Sequence, residues 1–193
     1  MSGRRRRMEH KLINIVHDHP YLTRLFDVCD SHFSNYYIGA GVITQTVWNH
    51  LHGYPLTYGI GDADIIYYNS EEDKDRIKEK QIESVIKAEL ATFPFDIDVT
   101  NEAFVHHWYE QKFQKRISPY SSCEEAIESW PTTASAVGVR RKRNGYDVCA
   151  PFSLQDLFHM VIRPNKALVT EEVYYNKARK WKAKWPKLQV IRW

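Results

Sequence analysis

The sequence predicts an α/β fold, because strand-like and helix-like patterns alternate along the first half of the chain. The stretch "YYIGAG" has the pattern of a short strand that ends in a glycine turn, and residues 42–52 carry apolar side chains at helical spacing. A strand headed by two aspartates follows ("DADIIYYN"), and an amphipathic helical pattern then precedes a second acidic strand ("FDIDVTN"). The predicted order is therefore strand, helix, strand, helix, strand.

Composition restricts the class of protein. The 193 residues are enough for a full hydrophobic core, and 13% aromatic content with only 8 Gly and 8 Pro argues against general disorder. No window approaches the roughly 18 apolar residues of a membrane span, so we expect no membrane partner. Three widely spaced cysteines match neither a disulfide framework nor a zinc site, which predicts a cytoplasmic protein.

The net charge of +3 comes from the N-terminus. Of the 27 basic residues, four are the run from Arg4 to Arg7, and the remaining 23 nearly balance the 24 acidic residues. Blocks of like charge tend to stay solvated. We therefore expect residues 1–7 to be a basic, disordered tail ahead of a single domain at 8–193, and we find no clear DNA-binding motif.

Local signals predict where the helices begin and end. Ahead of the first strand, apolar residues at helical spacing predict a helical region that is interrupted near Pro20. Gly53 is a typical residue just beyond a helix end. The next helix is predicted to start at Ser70, with Asp73 three residues later as in a capping box.

The two acidic strands supply the strongest functional signal. Asp62 and Asp64 are two positions apart, so their side chains share one face of a strand and repel each other. A shared proton, an arginine or divalent cations could offset that repulsion. If the second acidic strand is adjacent, either Asp96 or Asp98 adds a third carboxylate, and the pattern leaves the choice open. Such an oxygen cluster suits two-metal phosphoryl transfer.

The glycine turn is a second candidate element. Gly39 and Gly41 precede a predicted helix, whose N-terminal backbone N–H groups attract anions. Glycines permit close approach of a backbone to a phosphate. We therefore predict that this turn binds phosphate groups.

Several segments together resemble a known family. They are, in order, "GAGVITQTVWNHLHG", "DADIIYYN", "DVTNEAFVHHWY", "YSSCEEAIESWPTTASAVGVR", "APFSLQDLF", "IRPN" and "KWKAKWPKL". Over about residues 37–188 the chain is similar to a bacterial nucleotidyltransferase-like family of the DNA polymerase beta-type superfamily. The resemblance implies a nucleotidyltransferase-like fold, in which helices pack a small mixed β-sheet. The catalytic core would span about 35–110, and a helical C-terminal extension about 111–193.

The resemblance also implies a reaction and a set of site residues. An enzyme of this kind uses Mg²⁺ or Mn²⁺ to transfer a nucleoside monophosphate from an NTP to a hydroxyl, with release of pyrophosphate. The acceptor could be an RNA end, a protein or a small molecule. Asp62, Asp64 and Asp98 would be the catalytic, metal-binding carboxylates. The expected nucleotide- and phosphate-binding residues are Gly39, Gly41, Thr44 and Arg140.

This chain departs from the family pattern in places. Thr44 and Gln45 replace Arg-Asn after the glycine turn, and the segment from Asn101 to Phe104 replaces Asn-Gln-Ala-Arg. The usual serine after the turn glycine is also missing. These changes support an alternative, a catalytically silent module that binds a nucleotide, RNA or protein. The intact carboxylates favour the enzyme.

The remaining patterns lie in the second half. "VRRKRNGYDV" predicts a β-hairpin with Asn144-Gly145 in a type I′ turn. Arg140 on that hairpin is a candidate phosphate ligand because it ends the family-like "VGVR", and a solvated basic hairpin is the alternative. From Glu171 to Trp185, aromatic residues and lysines alternate at helical spacing. This pattern favours an amphipathic core helix over a single-stranded nucleic-acid site.

Overall fold

Helices and strands alternate through the first half of the chain in the computed structural model, which describes residues 3–72, 74–113 and 115–193. The helices are α1 (Gly3–His17), α2 (Leu22–His32), α3 (Ala40–His52), α4 (Ile77–Glu89), α5 (Val105–Phe113), α6 (Cys123–Glu128), α7 (Gln155–Phe158) and α8 (Glu171–Lys184). The strands are β1 (Tyr36–Gly39), β2 (Asp62–Tyr67), β3 (Asp96–Asn101), β4 (Gly138–Lys142), β5 (Gly145–Cys149), β6 (Val161–Ile162) and β7 (Gln189–Val190). Within the described ranges, no helix combines the length and apolar character that crossing a membrane requires.

Five strands form one mixed sheet in the order β3-β2-β1-β4-β5. Strands β2 and β3 are parallel, and the other neighbours are antiparallel. A parallel pair needs a crossover connection, which α4 supplies. One sheet face packs against the N-terminal helices, and on the opposite face Tyr37 and Ile66 contact Cys123 and Ile127 of α6. The predicted α/β fold with a small mixed sheet is confirmed.

The N-terminal region agrees with the sequence in part. Residues 3–7 form the exposed first turns of α1, which differs from the disordered tail that the charge pattern predicts. An ion pair one turn apart, from Arg5 Nε to Glu9 Oε1 at 2.8 Å, supports helix formation there. The predicted interruption near Pro20 is confirmed, since it separates α1 from α2. Gly53 ends α3 in a left-handed conformation with φ of 72°, as predicted.

Helix α4 begins later than its sequence predicts. It starts at Ile77 instead of Ser70. The segment between β2 and α4 contacts the C-terminal end of β2, because Glu72 accepts a hydrogen bond from the Tyr67 hydroxyl at 2.7 Å. Asp73, the predicted capping partner, lies outside the described residues.

The predicted hairpin forms between β4 and β5, but its turn is different. Lys142 pairs with Gly145, so the two residues of the turn are Arg143 and Asn144. A type I′ turn needs positive φ at both central residues. In this turn Gly145 alone has a positive φ, of 120°. The prediction of Asn144-Gly145 as the type I′ pair was therefore wrong.

Helix α8 packs into the core, as predicted. Tyr174, Ala178 and Trp181 are buried on one side of the helix, and the following Trp185 is fully buried. The ring of Trp181 meets that of Trp48 edge to face, with centroids 5.2 Å apart. Aromatic contacts of this kind add to the stability gained from burial. The C-terminal helix is thus fixed against α3.

One buried amide connects three segments of the chain. Asn49 on α3 accepts a hydrogen bond from the Trp185 indole at 2.7 Å. Its Nδ2 donates to the carbonyls of Leu56 and Tyr58 at 2.8 and 2.9 Å. The side chain therefore satisfies one donor and two acceptors that would otherwise be buried without partners.

We expect Asn49→Leu to lower the free energy of unfolding by about 2–4 kcal/mol, because it leaves those three polar groups unpaired. Urea denaturation measures the change. His50→Leu introduces the same side chain at the exposed neighbouring position and should change stability by less than about 0.5 kcal/mol. Equal losses for the two variants would contradict a structural role of the amide.

Candidate active site

The carboxylates predicted to act together lie at the start of two neighbouring strands. Asp62 and Asp64 project from one face of β2, and Asp98 on β3 is opposite Asp64 in the parallel register. One oxygen from each of the three carboxylates lies within 4.8 Å of the others. We call Asp62, Asp64 and Asp98 the acidic cluster. The alternation of buried residues in each strand produces this arrangement, because Ala63 and Ile97 face the core.

The structure distinguishes Asp98 from Asp96, which the strand pattern left equivalent. Asp96 is opposite Asp62 in the register, but its side chain is 70% exposed and forms an ion pair with Lys87 of α4 at 3.2 Å. The backbone N–H of Ile97 and this lysine lower the pKa of Asp96. Asp98 is therefore the third member of the acidic cluster.

Asp64 is the carboxyl of the acidic cluster whose pKa is raised most clearly. Burial, and then the charge of Asp62, raise the pKa of Asp64 to about 7. The charge of Lys177 and the backbone N–H of Gly41 act in the opposite direction. A carboxylate with this pKa is half-protonated near neutral pH, so a bound cation would favour its ionised form.

The three carboxylates fit a divalent metal site. Their oxygens converge in a small volume at the surface, and no basic side chain forms an ion pair with them among the described residues. Hard cations such as Mg²⁺ prefer carboxylate oxygens and retain several waters. Asp62 and Asp98 are exposed and flank the half-buried Asp64, so the site offers both metal ligands and access to solvent.

The two turn glycines have different roles in the structure. A Cβ on Gly39 would lie 2.4 Å from a ring carbon of Trp130, so packing requires glycine there. At Gly41 a Cβ would lie 3.7 Å from Asp62 Oδ1, which places this backbone beside the acidic cluster. Between them, Ala40 adopts a left-handed conformation with φ of 48°. The backbone N–H of Gly41 also acts on Asp64, where it lowers the pKa.

The structure does not bring Thr44 and Arg140 to the acidic cluster. Thr44 is fully buried, and its hydroxyl donates to the Ala134 carbonyl at 3.3 Å. Arg140 lies on β4, two strands away from β2, where its Nε donates to Asp147 at 2.9 Å. It also pairs with Glu124 at 3.2 Å. Both side chains are engaged in contacts within the protein.

A cavity of about 560 Å³ adjoins the acidic cluster and contains residues that the sequence did not assign to a site. We call it the aromatic cavity, because Trp108, Tyr109 and Trp130 contribute to its walls. Asp64 lines it together with Glu102, Lys177, Ile66 and Val173. Its volume is in the range of about 300–1,000 Å³ that small-molecule sites occupy.

Lys177 is the cation that α8 places next to the acids. Burial lowers the pKa of Lys177, and the charges of Asp64 and Asp62 oppose that shift. A signal for this residue exists in the sequence, because Lys177 lies three residues after Tyr174 and four before Trp181. A lysine at that spacing falls beside the buried stripe of the helix.

Glu102 follows β3 in a short 3-10 turn and is only 6% exposed. Burial, and then the charges of Glu79 and Asp64, raise the pKa of Glu102 to about 8. The sequence showed this residue only as a departure from the family pattern. Its position in the aromatic cavity depends on the packing of α5 and the C-terminal half, which no local pattern encodes.

Solved structures share this fold. A CCA-adding enzyme head domain determined by NMR aligns with a TM-score of 0.74 and 18% identity, over 95% of this chain and 96% of that one. The Thermotoga maritima CCA-adding enzyme in complex with tRNA aligns with a TM-score of 0.51 and 13% identity, over 93% of this chain. The chain spans 42% of that enzyme. At these identities the matches establish the fold alone.

Sequence comparison gives two further results. No curated protein matches this chain. The family described as "Nucleotidyltransferase" matches residues 27–190, which include β1 to β7 with the glycine turn and the acidic cluster. Because that match covers most of the sequence, this chain belongs to the nucleotidyltransferase family.

Proposed function

We propose that this protein transfers a nucleoside monophosphate from an NTP to a hydroxyl of an acceptor, with release of pyrophosphate, and that the reaction requires Mg²⁺ or Mn²⁺. The acidic cluster carries this proposal. Three carboxylate oxygens within 4.8 Å of one another, near the N-terminal ends of two adjacent strands, are the metal ligands that phosphoryl transfer with divalent ions needs. As the cysteine pattern predicts, we place the reaction in the cytoplasm.

The residues of the acidic cluster would have different roles in this reaction. Asp62 and Asp64 would hold the ions, which neutralise phosphate oxygens and lower the pKa of the attacking hydroxyl when bound. Asp98 accepts the proton of that hydroxyl, because it is the exposed carboxylate on the neighbouring strand. The N–H of Gly41 and the ammonium of Lys177 lie beside the acids and offset the charge of the triphosphate.

The alternative of a silent binding module rests on substitutions around the glycine turn. Thr44 is one of them, and its burial against Ala134 ties its identity to core packing. Replacement of an arginine at that position therefore says little about phosphate binding in this chain. This observation supports the enzyme over the silent module.

Three acceptor classes fit the proposal: an RNA end, a protein side chain and a small hydroxylated molecule. We would test RNA first, because one structural relative was solved in complex with tRNA. Acceptor specificity depends on surface elements and not on the shared fold.

The first prediction concerns nucleotide binding. With Mg²⁺, at least one of the four NTPs should raise the melting temperature of the wild-type protein in a thermal-shift titration. Asp62→Asn combined with Asp64→Asn should abolish this rise, because the metal ligands are lost. Asp96→Asn, on the same sheet edge but outside the acidic cluster, should retain it. If no NTP shifts the wild type with either metal, the proposed function is wrong.

Loss of Asp98 should affect transfer more than binding. We expect Asp98→Ala to lower pyrophosphate release, assayed with an RNA pool and each NTP, by about a hundredfold or more, since a general base contributes that much. The metal-dependent thermal shift should survive in part. Asp96→Ala is the matched control and should stay within about twofold. Equal losses in the two variants would rule out the assigned role of Asp98.

The raised pKa of Asp64, which comes from burial and then from the charge of Asp62, makes metal-free stability depend on pH. Between 3.8 and about 7 the folded state binds more protons at this carboxyl than the unfolded state does, so its contribution to stability falls as pH rises. In EDTA, the free energy of unfolding of Asp64→Asn, relative to that of the wild type, should therefore increase by on the order of 1–2 kcal/mol from pH 4 to pH 8. Urea denaturation at both pH values tests this. A difference that is independent of pH would contradict it.

A further inference from the structure

The C-terminal segment carries a concentrated positive charge. Residues 173–193 contain seven lysines and arginines and neither Asp nor Glu. Without the arginine run at the N-terminus, the whole chain is close to neutral. A basic surface on a nearly neutral protein is typical of proteins that bind a polyanion. The segment is therefore a candidate interaction surface outside the acidic cluster.

Three of these lysines form a row along one side of α8. Lys177, Lys180 and Lys184 are separated by three and four positions, which is the spacing of neighbours on a helix surface. We call these three residues the lysine row. The two glutamates of the helix, Glu171 and Glu172, lie in its first turn, and neither is three or four positions from a lysine of the row. No acid on α8 therefore neutralises the lysine row.

The lysine row borders the approach to the acidic cluster. At one end, Lys177 lines the aromatic cavity together with Asp64. At the other end, Lys184 Nζ donates to the Gly59 carbonyl at 2.9 Å, and Gly59 belongs to the loop that leads into Asp62. An ammonium group has three N–H donors, so Lys184 keeps two for a ligand. A chain of anionic groups that follows the row reaches the carboxylates.

Helix α4 shows how exposed lysines are accommodated elsewhere in this protein. Lys80 and Lys87 both pair with Glu83, at 2.7 and 3.2 Å. In the described part of the chain, the lysines that form ion pairs are Lys80, Lys87 and Lys142, and none belongs to the lysine row. Cations in the last turn of a helix are favoured by its dipole. That effect accounts for Lys184 but not for the exposed Lys180 in the middle of the row.

An exposed aromatic ring lies next to the far end of the lysine row. Tyr58, which precedes Gly59, is 43% exposed, and its ring meets that of Trp185 edge to face with centroids 6.2 Å apart. The Tyr58 carbonyl accepts the Asn49 amide at 2.9 Å, which fixes the backbone there. The aromatic residues of α8 are themselves buried, so Tyr58 is the ring that a ligand can reach from this side. Cations beside an exposed ring are the combination that binds single strands, through phosphate contacts and base stacking.

We propose that the lysine row and Tyr58 bind a single-stranded RNA, whose terminal hydroxyl is the acceptor at the acidic cluster. The acceptor assignment rests on the proposed function. The terminal oxygen forms a bond to the α-phosphorus of the NTP, its proton passes to Asp98, and the bond to the leaving pyrophosphate breaks. RNA is the polynucleotide that is chiefly single-stranded in a cytoplasm, where we place the reaction.

The salt dependence of binding tests the lysine row. Fluorescence anisotropy measures the affinity for a labelled RNA of about 12 nucleotides, which is within the usual site sizes. Lys180→Gln combined with Lys184→Gln should make the slope of log affinity against log salt concentration less steep by about 1.4, because two phosphate contacts are lost. With equal affinity at about 1 M salt, this corresponds to about 25-fold weaker binding at about 0.1 M. Lys78→Gln removes an exposed lysine from α4 and should leave slope and affinity unchanged.

The ring of Tyr58 should contribute through stacking alone. Tyr58→Leu keeps an apolar side chain against Trp185 but removes the flat face. We expect RNA binding to weaken by about fivefold or more, with no change in the salt slope. Circular dichroism and the melting temperature establish that each variant folds. An affinity equal to that of the wild type would contradict the role of Tyr58.

Pyrophosphate release tests whether the bound strand is the acceptor. At low RNA concentration with Mg²⁺ and NTPs, release by the double lysine variant should fall by the same factor as its affinity for RNA. Weaker binding without slower release would overturn the acceptor assignment. An unchanged RNA affinity in that variant would overturn the surface itself. Preferred binding of DNA of the same sequence, or of anionic lipid vesicles, would overturn the choice of RNA.

The NTP-dependent thermal shift of the wild type separates this inference from the proposed function. A shift with Mg²⁺ in a protein that binds no RNA would overturn the inference and leave the nucleotidyltransferase proposal intact. RNA binding that depends on the lysine row, without a shift by any NTP, would overturn the proposed function and the acceptor assignment. The RNA-binding surface would then stand alone.

Discussion

The parallel pairing of β2 with β3 in a single register is the interaction on which the candidate site depends. Because side chains alternate between faces, a slip by one residue would move Asp98 to the core side and an apolar residue to the acidic cluster. The register is fixed at the far end of the pair. There Asn69 donates its N–H to the Asn101 side chain at 3.1 Å, and the Asn101 amide donates back to the Asn69 carbonyl at 2.9 Å.

The two sheet faces satisfy opposite physical requirements. One face buries Ala63, Ile65 and Val99 among the helices and supplies the apolar burial that stabilises the fold. The other face brings carboxylates together, and burial, together with the charge of Asp62, raises the pKa of Asp64. This conflict with stability is typical of functional sites. The fold tolerates the repulsion between the carboxylates because they lie near the ends of β2 and β3, where solvent reaches them.

Much of the site could be predicted from local pattern, and the rest depends on tertiary contacts. Alternation along β2 identified Asp62 and Asp64, and helical spacing identified the buried stripe of α8. The choice of Asp98 over Asp96 needed the position of Lys87 on α4, which strand periodicity does not contain. The burial of Glu102 in the wall of the aromatic cavity likewise depends on side chains from distant segments.

The walls of the aromatic cavity come from both halves of the chain. Its walls include Asp64 and Trp108, but also Val169 and Lys177, which are synthesised much later. The cavity is therefore enclosed only once the second half of the chain has been synthesised and α8 has packed on α3. A chain truncated before α8 would keep Asp62, Asp64 and Asp98 in its sequence but would lack one wall of the space beside them.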